Sequence, residues 1–126
     1  MGFLRPWEGT IYAVMRILVG LLFMQHGLQK ILGLFGGAPA GMPAPLLYLS
    51  GTIELAGGLL VAIGFQAALA AFICSGEMAV AYFMVHAPKD FFPIQNHGEL
   101  AIVYCWVFLF IAGRGPGRFS VDRERR

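Results

Sequence analysis

Ionisable residues interrupt apolar sequence at several points: Arg16, His26 and Lys30 in one stretch, Glu54 and Glu77 in two others, and Glu99 at the head of a fourth. In hydrocarbon a charged side chain costs roughly 2.5–3.5 kcal/mol even on a lenient insertion scale, so such residues face one another or a cavity. At about 100° per residue, Arg16, His26 and Lys30 fall within one arc of roughly 80° on a helix, and Gln25 and Gln29 point elsewhere. Gly20 and Gly27 lie beside that arc and leave room for a neighbouring backbone. Glu54 is flanked on nearly the same face by Gly51, Gly57 and Gly58, which turns it toward protein. Glu77 shares its side with Cys74, Ala81 and Met84, and a separate row, Ala67, Ala71, Ser75 and Ala79, offers a packing face at every fourth residue. At Glu99 a carboxylate meets the favourable N-terminal end of a helix dipole.

Cations on one helix and carboxylates on the others would relieve most of the insertion cost by pairing across a bundle. The chemistry such a cluster supports is proton exchange, with His26 and Glu77 as the exchanging groups, and the holding of a polar headgroup by Arg16, Lys30, Glu54 and Glu99. His86, Asn96 and His97 add polar groups at the rim. The competing reading is that the ions only fix helix register, as buried pairs sometimes do. No metal is expected, because the Glu-x-x-His spacing of carboxylate-bridged metal bundles does not occur. Cys74 and Cys105 are not a CxxC pair and read as small hydrophobes. Tyr82, Tyr104 and Trp106 either wall a site for an aromatic headgroup or serve as ordinary core and lipid-facing residues. Neither a haem CxxCH nor a nucleotide-binding glycine loop is present, so the sequence itself supplies no electron carrier.

The elements that must position these groups follow from the hydropathy. Of 126 residues 58% are hydrophobic and 13% charged, with mean hydropathy +0.71, against about 45–50% and 25% in soluble domains. The apolar residues form blocks near the ~20 residues needed to cross a bilayer: spans at 10–32, 46–65, 66–86 and 97–113, with a basic tail at 114–126. The first block is too long for a signal-peptide core and is read as a retained span. Gly36-Gly37, Gly41 and several prolines mark the first connection, Gly64-Phe65-Gln66 a tight hairpin, and Pro88 to Pro93 an interfacial loop. Lys89 is the clear loop cation, whereas Arg5 precedes the first span and Arg114, Arg118, Arg123, Arg125 and Arg126 follow the last. The positive-inside rule therefore puts both termini in the cytoplasm. The expected fold is all-α: a single integral membrane domain, 1–126, forming a four-helix bundle in the cell membrane, in a bacterial inner membrane. A net charge of +2, without a basic stripe, excludes nucleic acid as a partner.

At these same residues the chain resembles the DoxX family of small four-helix membrane proteins. The likeness runs through Arg16-Ile-Leu-Val-Gly20, Phe23, His26-Gly27 and Lys30, then Gly51-Thr-Ile-Glu54-Leu-Ala-Gly57-Gly58. It continues through Gly76-Glu77-Met78-Ala79-Val80-Ala81-Tyr82-Phe83, His86-Ala87-Pro88, Phe92-Pro93, Asn96 and Gly98-Glu99, and ends in Gly115-Pro116-Gly117-Arg118-Phe119-Ser120. One departure is His97, where relatives commonly have glycine. The family takes its name from a subunit associated with thiosulfate:quinone oxidoreduction, and other members are linked to complexes handling oxidative and thiol stress. The resemblance implies redox work near the quinone pool. Taken with the charged cluster, the expected function is a membrane subunit of a quinone-linked redox system, with catalytic His26 and Glu77 and with Arg16, Lys30, Glu54, Glu99, His86 and Asn96 at a quinone headgroup. Expected partners are membrane lipid, a redox partner subunit and further copies of the chain. A non-enzymatic scaffold for soluble redox enzymes and a small-molecule permeation component are the alternatives.

Overall fold

The computed structural model describes residues 1–124, which leaves Arg125 and Arg126 of the basic tail outside the described residues. The regular secondary structure of the described residues is all helical, with no strand among them. A 3-10 turn, Gly2–Trp7, leads into helix α1, Glu8–Leu32, which stops at Gly33 in the left-handed conformation (φ 71°). Helix α2, Ala44–Ile63, starts with a proline in its first turn, where no amide hydrogen bond is lost. It ends at Gly64 (φ 74°). Helix α3, Ala67–His86, follows after the short hairpin read from the sequence, and helix α4 occupies Glu99–Arg114. The runs Gly2–Leu32, Ala44–Ile63 and Ala67–His86 are long and apolar enough to cross a membrane, while α4 has 16 residues.

Glycines and alanines decide how the helices meet. A Cβ placed on Gly20 would lie 2.6 Å from the Gly58 carbonyl oxygen, and one on Gly58 equally close to that of Gly20. Gly27 likewise rests on the Leu55 backbone. The backbones of α1 and α2 thus touch, as small residues permit. On α3 the expected row packs against α4: Ala67, Ala71 and Ser75 are buried, and Ser75 Oγ donates to the Cys105 carbonyl at 2.7 Å. Phe23 fills the centre between them, with ring centroids 4.7 Å from Phe108 and 5.1 Å from Tyr104. Leu18, Leu22, Leu69, Phe72, Val103 and Trp106 point outward and are exposed. This apolar exterior is what a bilayer solvates.

Both chain ends gather at one end of the helices. Arg114 pairs with Glu8, and Arg118 Nη1 donates to Thr10 Oγ1 at 3.1 Å. The Asp122 carboxylate accepts the amides of Gln66 at 2.9 Å and Ala67 at 3.0 Å, capping the start of α3. The connections after α1 and α3 lie at the opposite end, above the charged cluster.

Candidate site: a buried Lys–Glu–Glu cluster between two cavities

Lys30 sits in the last turn of α1, and its ammonium reaches across to α2. It donates to Glu54 Oε2 at 2.8 Å and to Ser50 Oγ at 3.1 Å. Glu54 is 1% exposed and belongs to a π-helical turn, Ile53–Gly57, in the middle of α2. Such a turn adds a residue to the helix and occurs frequently at functional sites. Glu77, from α3, comes within side-chain hydrogen-bonding reach of Glu54. As carboxylates both groups are acceptors only, and Oε1 of each is buried without a donor among the described residues. A proton held on either carboxyl lets the two bond to each other.

The cluster divides two cavities. The larger, about 390 Å³, lies toward the connecting loops between α1, α3 and α4, and His26, Gln29, Glu54, Glu77, His97 and Tyr104 contribute to its wall. The His26 ring stands edge-on to Tyr104 at a centroid distance of 6.2 Å. The smaller, about 240 Å³, is an apolar groove between α2 and α3, walled by Leu49, Ile53, Ile73, Gly76 and Val80 and closed at its polar end by Lys30, Ser50 and Glu77. Lys30 and Glu77 belong to both.

The structure thus brings together Lys30, Glu54, Glu77 and His26, but not the other residues expected at the site. Arg16 shares an arc with Lys30, yet fourteen residues at 1.5 Å each put them about 21 Å apart along α1. Its guanidinium is fully buried at the termini end and spent on backbone carbonyls: Val61 (3.0 Å), Ala62 (3.4 Å), Arg118 (2.8 Å), Phe119 (2.7 Å) and Pro116. The expected pairing of Arg16 with the carboxylates is corrected accordingly: it closes the C-terminus of α2 and ties down the tail. Glu99 is exposed on the first turn of α4, outside both cavity walls. Asn96 is fully buried as the knot of the loop before α4, with Nδ2 donating to Tyr82 Oη (3.2 Å) and the Asp90 carbonyl (3.0 Å), and Oδ1 accepting the Gly98 amide (2.8 Å). His86 reaches the cavity wall while its Nδ1 donates to the Asn96 carbonyl at 3.0 Å. That bond leaves Nε2 as the basic nitrogen.

Sequence reasoning missed Ser50, although its position one turn before Glu54 puts it on the same face. It also turned Gln29 away from the site, whereas Gln29 lines the larger cavity and donates to the Phe35 carbonyl at 3.1 Å. Met42 enters both cavity walls from the loop after α1, and nothing in its local sequence marks it. Cys74 is buried near Gly57, while Cys105 Sγ lies 3.4 Å from Ser75 Oγ; both are free thiols.

Comparison with known proteins places these residues in a wider set. The DoxX family model matches residues 11–87, a stretch that contains Lys30, Glu54 and Glu77. An uncharacterised protein of Haemophilus influenzae is 36% identical, over 98% of this chain and 97% of its own length. The inner membrane protein YqjF of Escherichia coli is 31% identical over 95% of both chains. An uncharacterised membrane protein of Mycobacterium tuberculosis is 29% identical, over 86% of this chain and 77% of its own. No solved structure matches the chain.

Proposed function

The chain belongs to the DoxX family of membrane proteins, and on that premise we propose that it is a membrane subunit of a quinone-linked redox system whose Lys30–Glu54–Glu77 cluster binds a quinone headgroup. The observation that carries this reading is the pair of buried carboxyl oxygens, Glu54 Oε1 and Glu77 Oε1, without donors beside a cavity of about 390 Å³. Buried polar groups left without a partner are rare and call for one. One ammonium faces two carboxyl groups, so the cluster is neutral only when it keeps a proton between the carboxyls. Such a group can donate to a ring oxygen as well as accept from it. Lys30 supplies a charge-assisted donor held in place by Glu54 and Ser50, and His26 stands in the same cavity to pass protons toward the loop end. A quinone bound there would supply the two-electron, two-proton acceptor. We place the chain in a bacterial inner membrane with four crossings, α4 being the shortest, and assign electron delivery to a partner subunit.

The test exchanges the pair for apolar residues of similar volume, Lys30→Met with Glu54→Leu. Replacing a buried ion pair in this way is often neutral or stabilising, so the double variant is expected to keep its melting temperature in detergent and lose saturable binding of a benzoquinone. A double variant that binds the quinone as the unaltered protein does would mean that the ions only fix helix register. The scaffold reading would then take over.

A further inference from the structure

Gly76 is the one helix-interior glycine near the cluster that packing does not explain. Gly20, Gly27, Gly57 and Gly58 each lie so close to a neighbouring helix that a Cβ would collide. At Gly76 a Cβ would meet no other part of the protein within 4 Å. Glycine is a poor helix former, yet it stands in the middle of α3, on an exposed apolar face, next in sequence to Glu77. What it does is deepen the groove between α2 and α3 beside the carboxyl.

We propose that this groove takes the hydrocarbon tail of an amphiphile whose headgroup sits at Lys30, Glu54 and Glu77, and that the molecule enters sideways from the lipid between α2 and α3. The proposal rests on the headgroup reading above and adds the substrate class: a tailed, membrane-dissolved quinone rather than a water-soluble one. The two cavities are complementary in the way such a molecule requires. The groove is apolar along Leu49, Ile53, Ile73 and Val80, and its polar end is Lys30 with Glu77. Those two residues are also part of the wall of the larger cavity, which carries His26, His97 and Tyr104. Glu54, almost fully buried with Oε1 unpartnered, marks where the head must bind. Leu49, Ile73 and Val80 are half-exposed on the outer surface, so the groove opens onto the region that lipid occupies and no helix has to move aside. Water-soluble ligands would instead reach the cluster only through the larger cavity.

Gly76→Phe tests this, because the open space at Gly76 admits a side chain without displacing a helix and the substitution improves helix propensity. The protein in lipid nanodiscs is titrated with a decyl-tailed benzoquinone and with the same ring carrying a methyl group in place of the tail, affinities being expressed per lipid. Unaltered protein is expected to bind the tailed ring at least tenfold more tightly. Gly76→Phe should bring the tailed ring down to the level of the methyl ring and leave the methyl ring unchanged, with Gly76→Ala close to the unaltered protein. Equal affinity of both rings for the unaltered protein, or a Gly76→Phe protein that still prefers the tail, would overturn the tail groove and leave the headgroup site standing. Binding of neither ring would overturn both. A second copy is the other conceivable occupant: if sedimentation finds a dimer that Gly76→Phe dissociates while tailed-ring affinity stays the same, the groove is a subunit interface and the proposal fails.

Discussion

His97 holds a backbone conformation, φ 60°, that L side chains avoid, and it does so on the wall of the larger cavity. The left-handed region costs a non-glycine residue about 1–2 kcal/mol, partly offset because glycine loses more freedom on folding. Glycine is therefore the residue the backbone favours here, and His97 is strained by the turn it occupies. His97→Gly is expected to raise stability by about 1 kcal/mol, read as a higher melting temperature in detergent. A lower one would mean that the imidazole makes a contact worth more than the strain. Arg16 and Lys30 give the complementary lesson. Their shared arc is legible from periodicity, but a helical wheel discards position along the axis, and about 21 Å of axis separates a structural arginine from a lysine in the candidate site. Depth has to come from which residues the partner helices present at each level: carbonyls of Val61 and Ala62 opposite Arg16, carboxyls opposite Lys30.

Among the elements, the helices themselves were written plainly in the hydropathy. Four helical runs begin and end within a few residues of the four apolar blocks, three of them long and apolar enough to cross a membrane, and the glycine pair Gly20–Gly58 and the row through Ala71 and Ser75 pack as their spacing implies. Two features were not legible. The π-helical turns at Ile53–Gly57 and Tyr82–His86 leave no periodic mark, because each shifts the register of its helix by a single residue. The tail, read only as a basic orientation signal, folds back under the helices. Many of its contacts have a backbone group on one side, the Arg16 guanidinium on the tail carbonyls and the Asp122 carboxylate on the α3 amides, and a backbone group leaves no mark in the sequence. Asp122 is the clearest case, since it accepts the first amides of α3 from across the chain. Asp122→Ala removes that cap and is expected to cost about 1–2 kcal/mol while leaving quinone affinity unchanged. Urea unfolding in mild detergent gives the first quantity and the nanodisc titration the second. Loss of binding at full stability would instead connect the tail to the site.

At the scale of the whole molecule the unequal ends predict an orientation. Arg5, Arg114, Arg118 and Arg123 lie at the end where the termini meet, while the opposite end carries Lys89 in its loop and Lys30 already committed to Glu54. Orientation in the membrane follows Lys and Arg counted close to the spans, with acidic residues contributing little, so the Glu8–Arg114 pair does not cancel the bias. The termini end is therefore expected in the cytoplasm, and the larger cavity beneath the loops then faces outward. Lys89 is exposed and belongs to neither cavity wall, which makes it a suitable reporter. In a background with Cys74→Ala and Cys105→Ala, a Lys89→Cys protein should react with a membrane-impermeant thiol reagent in intact spheroplasts, and a cysteine at Arg118 should react only after lysis. The reverse pattern would invert the molecule and turn the cavity toward the cytoplasm. Quinone affinity would be the same in either orientation, because the groove opens to lipid from the side. Labelling therefore decides which side the larger cavity faces, independently of whether the site binds a quinone.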